Sequence, residues 1–544
     1  MIFRRSMLYA LASVALVALG LTSATASPQA SSSELPLGKS GLKETRTTEQ
    51  ITSGVTYKRI IRGQQSNKDF YTVDVAFKTD RAAAEEVAAR LRSDGYDPVT
   101  VEVTQRAPDD PQTGPLGYLV RVGSFGTQAE ADALRAELTA KGYTGLRTVY
   151  TGEDGGETTG PWVVHVLKVD PDHYDGTLRP ELATGIVPDR ETLTSISART
   201  HSLAAINGGY FVIGPEDGTP GDLAGISMLE GNLVSEAVDG RTDLVLPKGD
   251  GAGADVAAIS DSLSATFSDG ATREVDGLNR KPGLIRACGG DGGDIPTELP
   301  KHDFTCTDPD ELILFTPTFG HNTESGTGTE AVLTSSGKVT ALRDYRGGKI
   351  PEDGSVLSGT GDGATWLSAH AKPGMRIRVK TSFSTGGATL AGKTGVVNGG
   401  PRLLRAGSPD ITAYAEGFVY PENPEFYYRF GVRRNPRTIA GVTSSGDLLL
   451  VAVDGRRPGY SVGASFKEEA AIMESLGAQE AVNLDGGGST TMTLGEQLVT
   501  RPSDTTGERP IGDAVVVLPR ANPSHAPFSS RGPAGDLARG DVPG

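Results

Sequence analysis

The sequence predicts an α+β protein, with a large, strand-rich mixed α/β domain and a small domain of βαββαβ order. Three observations carry this prediction. A strand-helix-strand unit occurs twice in the first third of the chain, strand-like segments outnumber helical ones in the remainder, and 72 glycines mark a turn-rich architecture. A chain of 544 residues also exceeds one ordinary core, so two or more domains are expected.

Taken in order, residues 1–26 read as a signal peptide for export. Arg4-Arg5 precede an apolar stretch over 7–21 and the small residues Ala24-Thr25-Ala26. About 15 apolar residues are short for a membrane span, and Ala-x-Ala is a cleavage signature. The mature chain is therefore expected to begin near Ser27, without a stable span, secreted and associated with the cell wall. An uncleaved anchor is the competing reading, and the arginine pair leaves the export route open between the general and the twin-arginine pathway. Residues 27–50, rich in Ser, Thr, Gly and Glu without periodicity, are expected to be a disordered linker. Within 51–68, residues 54–61 are strand-like yet have no place in the repeat that follows. They are assigned to the large domain as its first strand, which makes the small domain (69–152) an insertion; otherwise it is simply N-terminal.

In that small domain, residues 71–77 alternate as a strand, a helix over 80–93 places Ala84, Val87, Ala88 and Leu91 on one face, and 99–103 form a second strand. The same order returns about 47 residues later: a strand over 118–125, a helix over 128–141 bearing Ala131, Leu134 and Leu138, and a strand over 146–150. Two such halves make a ferredoxin-like sheet with both helices on one face. The large domain (153–519) is predicted to hold strands at 162–169, 311–315, 376–380, 448–453 and 514–518. Helices are predicted at 191–198 and 465–476, the latter striped by Ala470, Ile472, Met473 and Leu476. Residues 520–544, with Pro, Gly, Ser and scattered charge, are expected to be a disordered tail.

With 68 acidic against 52 basic residues the net charge is -16, which disfavours nucleic acid as a partner. The two cysteines, Cys288 and Cys306, lie 18 residues apart around a glycine-rich segment. In an exported chain they are expected to form a disulfide, contributing about 3 kcal/mol by loop closure. Neither has a Cys or His partner at ligand spacing, His302 alone does not complete a set, and the seven histidines show no metal pattern. No metal and no cofactor is expected.

Chemistry concentrates in the run Asn483-Leu484-Asp485-Gly486-Gly487-Gly488-Ser489-Thr490-Thr491, directly after the apolar Ala481-Val482. Three consecutive glycines suit a backbone that turns sharply or approaches a ligand closely. Asn207-Gly208-Gly209 and Asn398-Gly399-Gly400 echo it, each after a strand-like segment. Singly, each is a candidate hairpin turn; together, three copies point to a shared pocket.

The small repeat resembles the sporulation-related repeat (SPOR) family, most clearly over 118–125 and in Thr127-Gln128-Ala129-Glu130-Ala131. Members of that family bind peptidoglycan through an open sheet face. The resemblance implies Tyr71, Arg121 and Ser124 as glycan contacts, with a ligand-free spacer as the alternative. The larger domain resembles the phosphodiester glycosidase family: the two Asn-Gly-Gly segments, Arg402, Arg437-Thr438, Asp454-Gly455-Arg456 and the run from Asn483 occur in its order. That likeness implies hydrolysis of a sugar 1-phosphodiester, with a sugar-phosphate substrate and a cell-envelope glycan as partner. A non-catalytic binder that kept the pocket is the alternative.

Such a reaction passes through oxocarbenium-like charge at the anomeric carbon, while the leaving phosphate is already anionic. It needs a carboxylate beside the sugar and cations or N–H groups around the phosphate. Asp485 is the first candidate for nucleophile, base or electrostatic stabiliser; Asp454 is the second and Glu508 a weaker third. Arg402, Arg437 and Arg456 are the candidate phosphate ligands, since a guanidinium can bind phosphate oxygens bidentately. Gly486, Gly487 and Gly488 offer N–H groups, with Ser489 and Thr490 beside them. Asn207, Asn398 and Asn483, with Gly208, Gly209, Gly399 and Gly400, are expected to frame the sugar.

Overall fold

The computed structural model describes residues 34–246, 253–288, 299–388, 390 and 394–520. The expected signal peptide, the first part of the linker and nearly all of the expected tail lie outside the described residues. Two antiparallel strands, β1 (Glu44–Thr52) and β2 (Val55–Arg62), open the described chain. The linker expectation therefore fails over its second half. Leu35 and Leu37 are buried, and Arg62 donates from Nε to the Leu37 carbonyl at 2.7 Å. Isolated apolar residues supplied that anchoring, which a test for periodicity does not register.

The small unit follows as β3 (Tyr71–Lys78), α1 (Arg81–Ser93), β4 (Pro98–Val103), β5 (Gly117–Phe125), α2 (Gln128–Ala140) and β6 (Arg147–Tyr150), with sheet order β4-β5-β3-β6. Asp80 caps α1 by accepting from the Ala83 N–H at 2.8 Å, and Thr127 with Glu130 closes a capping box on α2. Val73, Val75, Val120 and Val122 project from one sheet face into a core with Ala84, Ala88, Leu91, Ala131 and Leu138 of both helices.

The chain then enters β7 (Trp162–Val169), which pairs antiparallel with β2 along its whole length, Val55 opposite Val169 and Arg62 opposite Trp162. Beyond β7 the eight-stranded sheet continues through Leu448–Val453, Arg437–Thr443, Ala478–Asn483, Arg402–Arg405 and Ser408–Pro409. Its central strand Leu448–Val453 is buried on both faces, which accounts for its unbroken apolar run. Leu449, Val451 and Val453 pack with Phe466, Ile472 and Met473 of the helix Phe466–Ser475, while Leu448, Leu450 and Ala452 face Ile206, Leu244, Val397 and Val515 on the other side. A second sheet holds β8 (Thr177–Leu182), Asp513–Leu518 and β9 (Ala204–Asn207). The helix expected at 191–198 lies at Leu193–Thr200, because Thr192 rather than an earlier residue caps it. Cys288 and Cys306 are joined in a disulfide. Among the described residues no helix is long and apolar enough to cross a membrane.

Candidate active site

None of the three Asn-Gly-Gly segments is a hairpin turn, because the strands flanking each belong to different sheets. They converge instead. Asn207 Nδ2 donates to the Asp485 carbonyl at 2.7 Å, and its Oδ1 accepts from Thr438 Oγ1 at 2.7 Å and the Thr491 N–H at 3.1 Å. Asn398 Oδ1 accepts from the Tyr210 N–H at 2.8 Å, and Asn483 Nδ2 donates to Tyr210 Oη at 2.6 Å and the Gly400 carbonyl at 2.9 Å. All three asparagines are buried and none lines the cavity. They brace the backbone under Asp485 and fix Tyr210, which corrects the expectation that they frame the sugar directly. Gly208, Gly209, Gly399 and Gly400 serve the same joint: a Cβ at Gly209 would stand 2.4 Å from the Asn398 carbonyl oxygen.

The cavity they support has a volume of about 540 Å3. Asp485 and Gly486, Gly487 and Gly488 form one wall, and the guanidinium-bearing residues Arg147, Arg286, Arg429, Arg437, Arg456 and Arg509 line the rest with the carboxylates Asp303 and Glu425. Tyr210, Phe211, Phe426, Phe430 and His302 supply an aromatic wall, with Phe426 and Phe430 stacked at 5.7 Å. Apolar ring faces suit a sugar ring, and cations suit its phosphate.

The glycine run has a concrete steric cause. A Cβ at Gly488 would lie 2.1 Å from Arg509 Nη2, and one at Gly487, where φ is +61°, would lie 3.4 Å from Arg456 Nη1. Glycine lets both guanidiniums lie against the turn. Gly487 donates its own N–H to the Pro436 carbonyl at 2.9 Å, so that amide is not free for an anion. Ser489 and Thr490 are buried beneath the turn rather than in the cavity wall.

Burial pushes the Asp485 carboxyl up to about 6, against the opposing pull of Arg509. Beneath it Asp513 accepts from the Gly209 N–H at 2.9 Å; burial, with Asp485 adding to it, pushes that carboxyl up to about 7. His302 is driven well below its ordinary value by burial and by Arg241, so its ring is neutral at physiological pH. Arg437 is buried, donates from Nε to the Ala464 carbonyl at 2.9 Å, and pairs at 2.8 Å with the equally buried Glu469. Arg456 donates to Asn435 Oδ1 at 2.8 Å and holds a backbone φ of +53°, strain of about 1 kcal/mol or more that the surroundings must impose.

Several predicted residues do other work. Asp454 is buried outside the cavity, where it accepts from the Arg501 N–H at 2.9 Å and Tyr460 Oη at 3.0 Å and meets His165 Nε2 at 3.1 Å. It ties strands together and is not a second catalytic carboxylate. Arg402 pairs with Glu480 and donates to the Val256 carbonyl at 3.1 Å, so it is no phosphate ligand. Glu508 caps the helix Leu193–Thr200, accepting from the Thr194 N–H at 2.9 Å. In the small unit, Arg121 is buried against the large domain, bonded to Asp74 at 2.7 Å and Tyr428 Oη at 3.1 Å and paired with Asp154. Phe77 stacks on Tyr428 at 5.5 Å. The sheet face expected to be open is thus largely covered, leaving Ser124 exposed and Tyr71 half-buried.

Sequence reasoning missed Arg286, Asp303, Arg429 and Arg509 in the cavity wall. Arg509 directly follows Glu508, and its signal was a second cation within reach of a glycine run too narrow for side chains. Arg286 and Asp303 come from the stretch either side of the disulfide, where no motif marks them.

The SPOR domain model matches residues 67–146 and 114–158, and the phosphodiester glycosidase model matches residues 328–518. A solved structure of the Burkholderia pseudomallei "Putative exported protein" is 35% identical, covers 90% of this chain and 99% of its own, and superposes with a TM-score of 0.82. A hypothetical protein from Synechocystis shares the fold at 18% identity and a TM-score of 0.52, covering 87% of this chain and 80% of its own. The catalytic domain of zebrafish N-acetylglucosamine-1-phosphodiester alpha-N-acetylglucosaminidase, auto-inhibited by its pro-peptide, is 14% identical with a TM-score of 0.33, covering 88% and 89%. None of the curated proteins matches significantly. The matches show that this chain carries a phosphodiester glycosidase domain over residues 328–518 and a SPOR domain within residues 67–158.

Proposed function

We propose that the chain is an exported, cell-envelope hydrolase that cleaves a sugar 1-phosphodiester, with its SPOR domain associating it with wall glycan. The observation that carries this reading is the placement of Asp485 beside the glycine turn in a cavity lined by six arginine side chains and an aromatic wall, where Arg286 pairs with Asp303 and Arg429 with Glu425. In the proposed reaction water supplies the oxygen that ends on the anomeric carbon. The bond from that carbon to the bridging oxygen breaks, the oxygen and its electron pair leave with the phosphomonoester, and the proton lost by the attacking water ends on that phosphomonoester or in solvent. Arg437, Arg456 and Arg509 hold the phosphate, and the Asp485 carboxylate stabilises the positive charge that develops at the sugar. The strand order β4-β5-β3-β6, with both helices against one face, supports the ferredoxin-like reading of the small domain. Wall contact then falls to exposed Ser124 and half-buried Tyr71 rather than to Arg121.

The test is release of free sugar from a panel of sugar 1-phosphodiesters by the mature protein. Asp485 must be ionised to work, and its carboxyl protonates as pH falls through about 6. The kcat/KM profile is expected to show an acid limb near that pH. No release across the panel would remove the reading, and an acid limb at the ordinary aspartate value would remove Asp485 from it.

A further inference from the structure

A second cavity, of about 420 Å3, adjoins the first, and Arg147, Arg429, Asn435 and Arg456 line both. Its far side belongs to the small domain, where Tyr71 and Tyr150 set their rings 5.0 Å apart and Gln128 and Thr148 face the same space. Most cations around it are matched within the protein: Arg429 by Glu425, Arg433 by Glu153 and Asp154, and Arg434 by Glu468. Two are not. Among the described residues Arg147, exposed on the edge strand β6, makes no ion pair, and Arg456 bonds to an amide oxygen rather than a carboxylate. Arg147 also stands near Arg429, whose like charge, after burial, lowers the affinity of its guanidinium for its proton. With Arg456 engaged by a phosphate at Asp485, Arg147 remains as a guanidinium without a carboxylate partner that a second anion would complete.

We propose that this second cavity is the subsite for the neighbouring phosphate of a phosphodiester-linked glycan, so that the small domain, through Arg147, selects polymeric over single-linkage substrates. The inference rests on the functional reading above. One phosphate sits with Arg437, Arg456 and Arg509 at Asp485, and the chain continues past Arg456 towards β6. Its next sugar lies beside Tyr71 and Tyr150, and its next phosphate meets Arg147. The small domain is then a wall of the binding cleft as well as a wall anchor.

The full-length Asp485→Asn protein, which is not expected to consume either probe, is titrated calorimetrically with two compounds. One is the methyl phosphodiester of N-acetylglucosamine 1-phosphate and the other is the linear two-unit, two-phosphate compound. The two-phosphate probe is expected to bind about tenfold more tightly. Adding Arg147→Ala should reduce that ratio towards one, and Arg147→Lys should keep part of it. Equal affinities, no binding of either probe, or a ratio that survives Arg147→Ala overturns the inference. A ratio that behaves as expected in a protein whose wild type hydrolyses no linkage would overturn the functional reading and leave the subsite standing.

Discussion

Replacing Asp485 with asparagine is expected to lower kcat on a sugar 1-phosphodiester on the order of a thousandfold while leaving the fold intact. The side chain keeps its shape and loses its charge. The contacts that hold the turn run through the backbone of residue 485, whose carbonyl accepts from Asn207 Nδ2 at 2.7 Å and whose N–H donates to the Gly208 carbonyl at 3.2 Å. Stability should change in the opposite direction to activity. The folded carboxyl is raised from 3.8 to about 6, mainly by burial, so the native state favours the protonated form. Between those values the unfolded chain binds fewer protons, and stability falls as pH rises. Asparagine removes that penalty, so the variant should be more stable than wild type at pH 7, by about 1 to 2 kcal/mol once contact with cavity water is allowed for, and no more stable at pH 4. Urea unfolding at the two pH values, beside steady-state rates, reads both effects. Wild-type turnover in the variant would detach Asp485 from the chemistry.

The second large effect is expected at Glu469, which no sequence motif marks. It sits on the helix Phe466–Ser475, is wholly buried, and pairs at 2.8 Å with Arg437, whose guanidinium also lies 4.6 Å over the Phe466 ring. Burial pushes the Glu469 carboxyl up to about 8 against the pull of Arg437. Above that pH Glu469→Ala would leave a buried guanidinium without its counter-charge, a change that costs about 3 to 5 kcal/mol. The cost should shrink as pH falls below about 8. The double variant Glu469→Leu/Arg437→Met removes both charges and should recover most of that stability, since an apolar pair replaces a buried ion pair at little cost. It should not recover phosphate affinity, because Arg437 lines the cavity. Chemical denaturation together with phosphate binding separates these outcomes. Binding retained in the double variant would mean that Arg437 only braces the glycine turn.

Much of the architecture was legible in the chain because it rests on short-range patterns. The duplicated unit was read through strand alternation and one apolar helix face, and β2, set apart from it in the sequence, pairs with β7. The covering of the small sheet by the large domain was not legible, since alternation tells that Arg121 and Asp74 lie opposite Val120 and Val73 but not what lies beyond them. The site divided in the same way. Asp485 and its glycines stand out because no packing role explains three consecutive glycines, and the structure shows arginines filling the space that side chains would take. Asn207, Asn398 and Asn483 were found as a set, but their role was misjudged. An asparagine that binds a sugar and one that binds a backbone carbonyl look alike in sequence, and only the geometry distinguishes them. Asp454 and Arg402 show the same limit: a charged residue after a strand becomes a structural tie when partners such as His165 and Glu480 arrive from distant segments.

The central claim is that the bond broken joins the anomeric carbon to oxygen, with the arginines holding a phosphate that departs intact. Hydrolysis of a sugar 1-phosphodiester in water enriched in oxygen-18, followed by mass spectrometry of both products, tests it most directly. The heavy oxygen is expected in the released sugar, with the phosphomonoester unlabelled; label in the phosphomonoester would mean attack at phosphorus and would contradict the account.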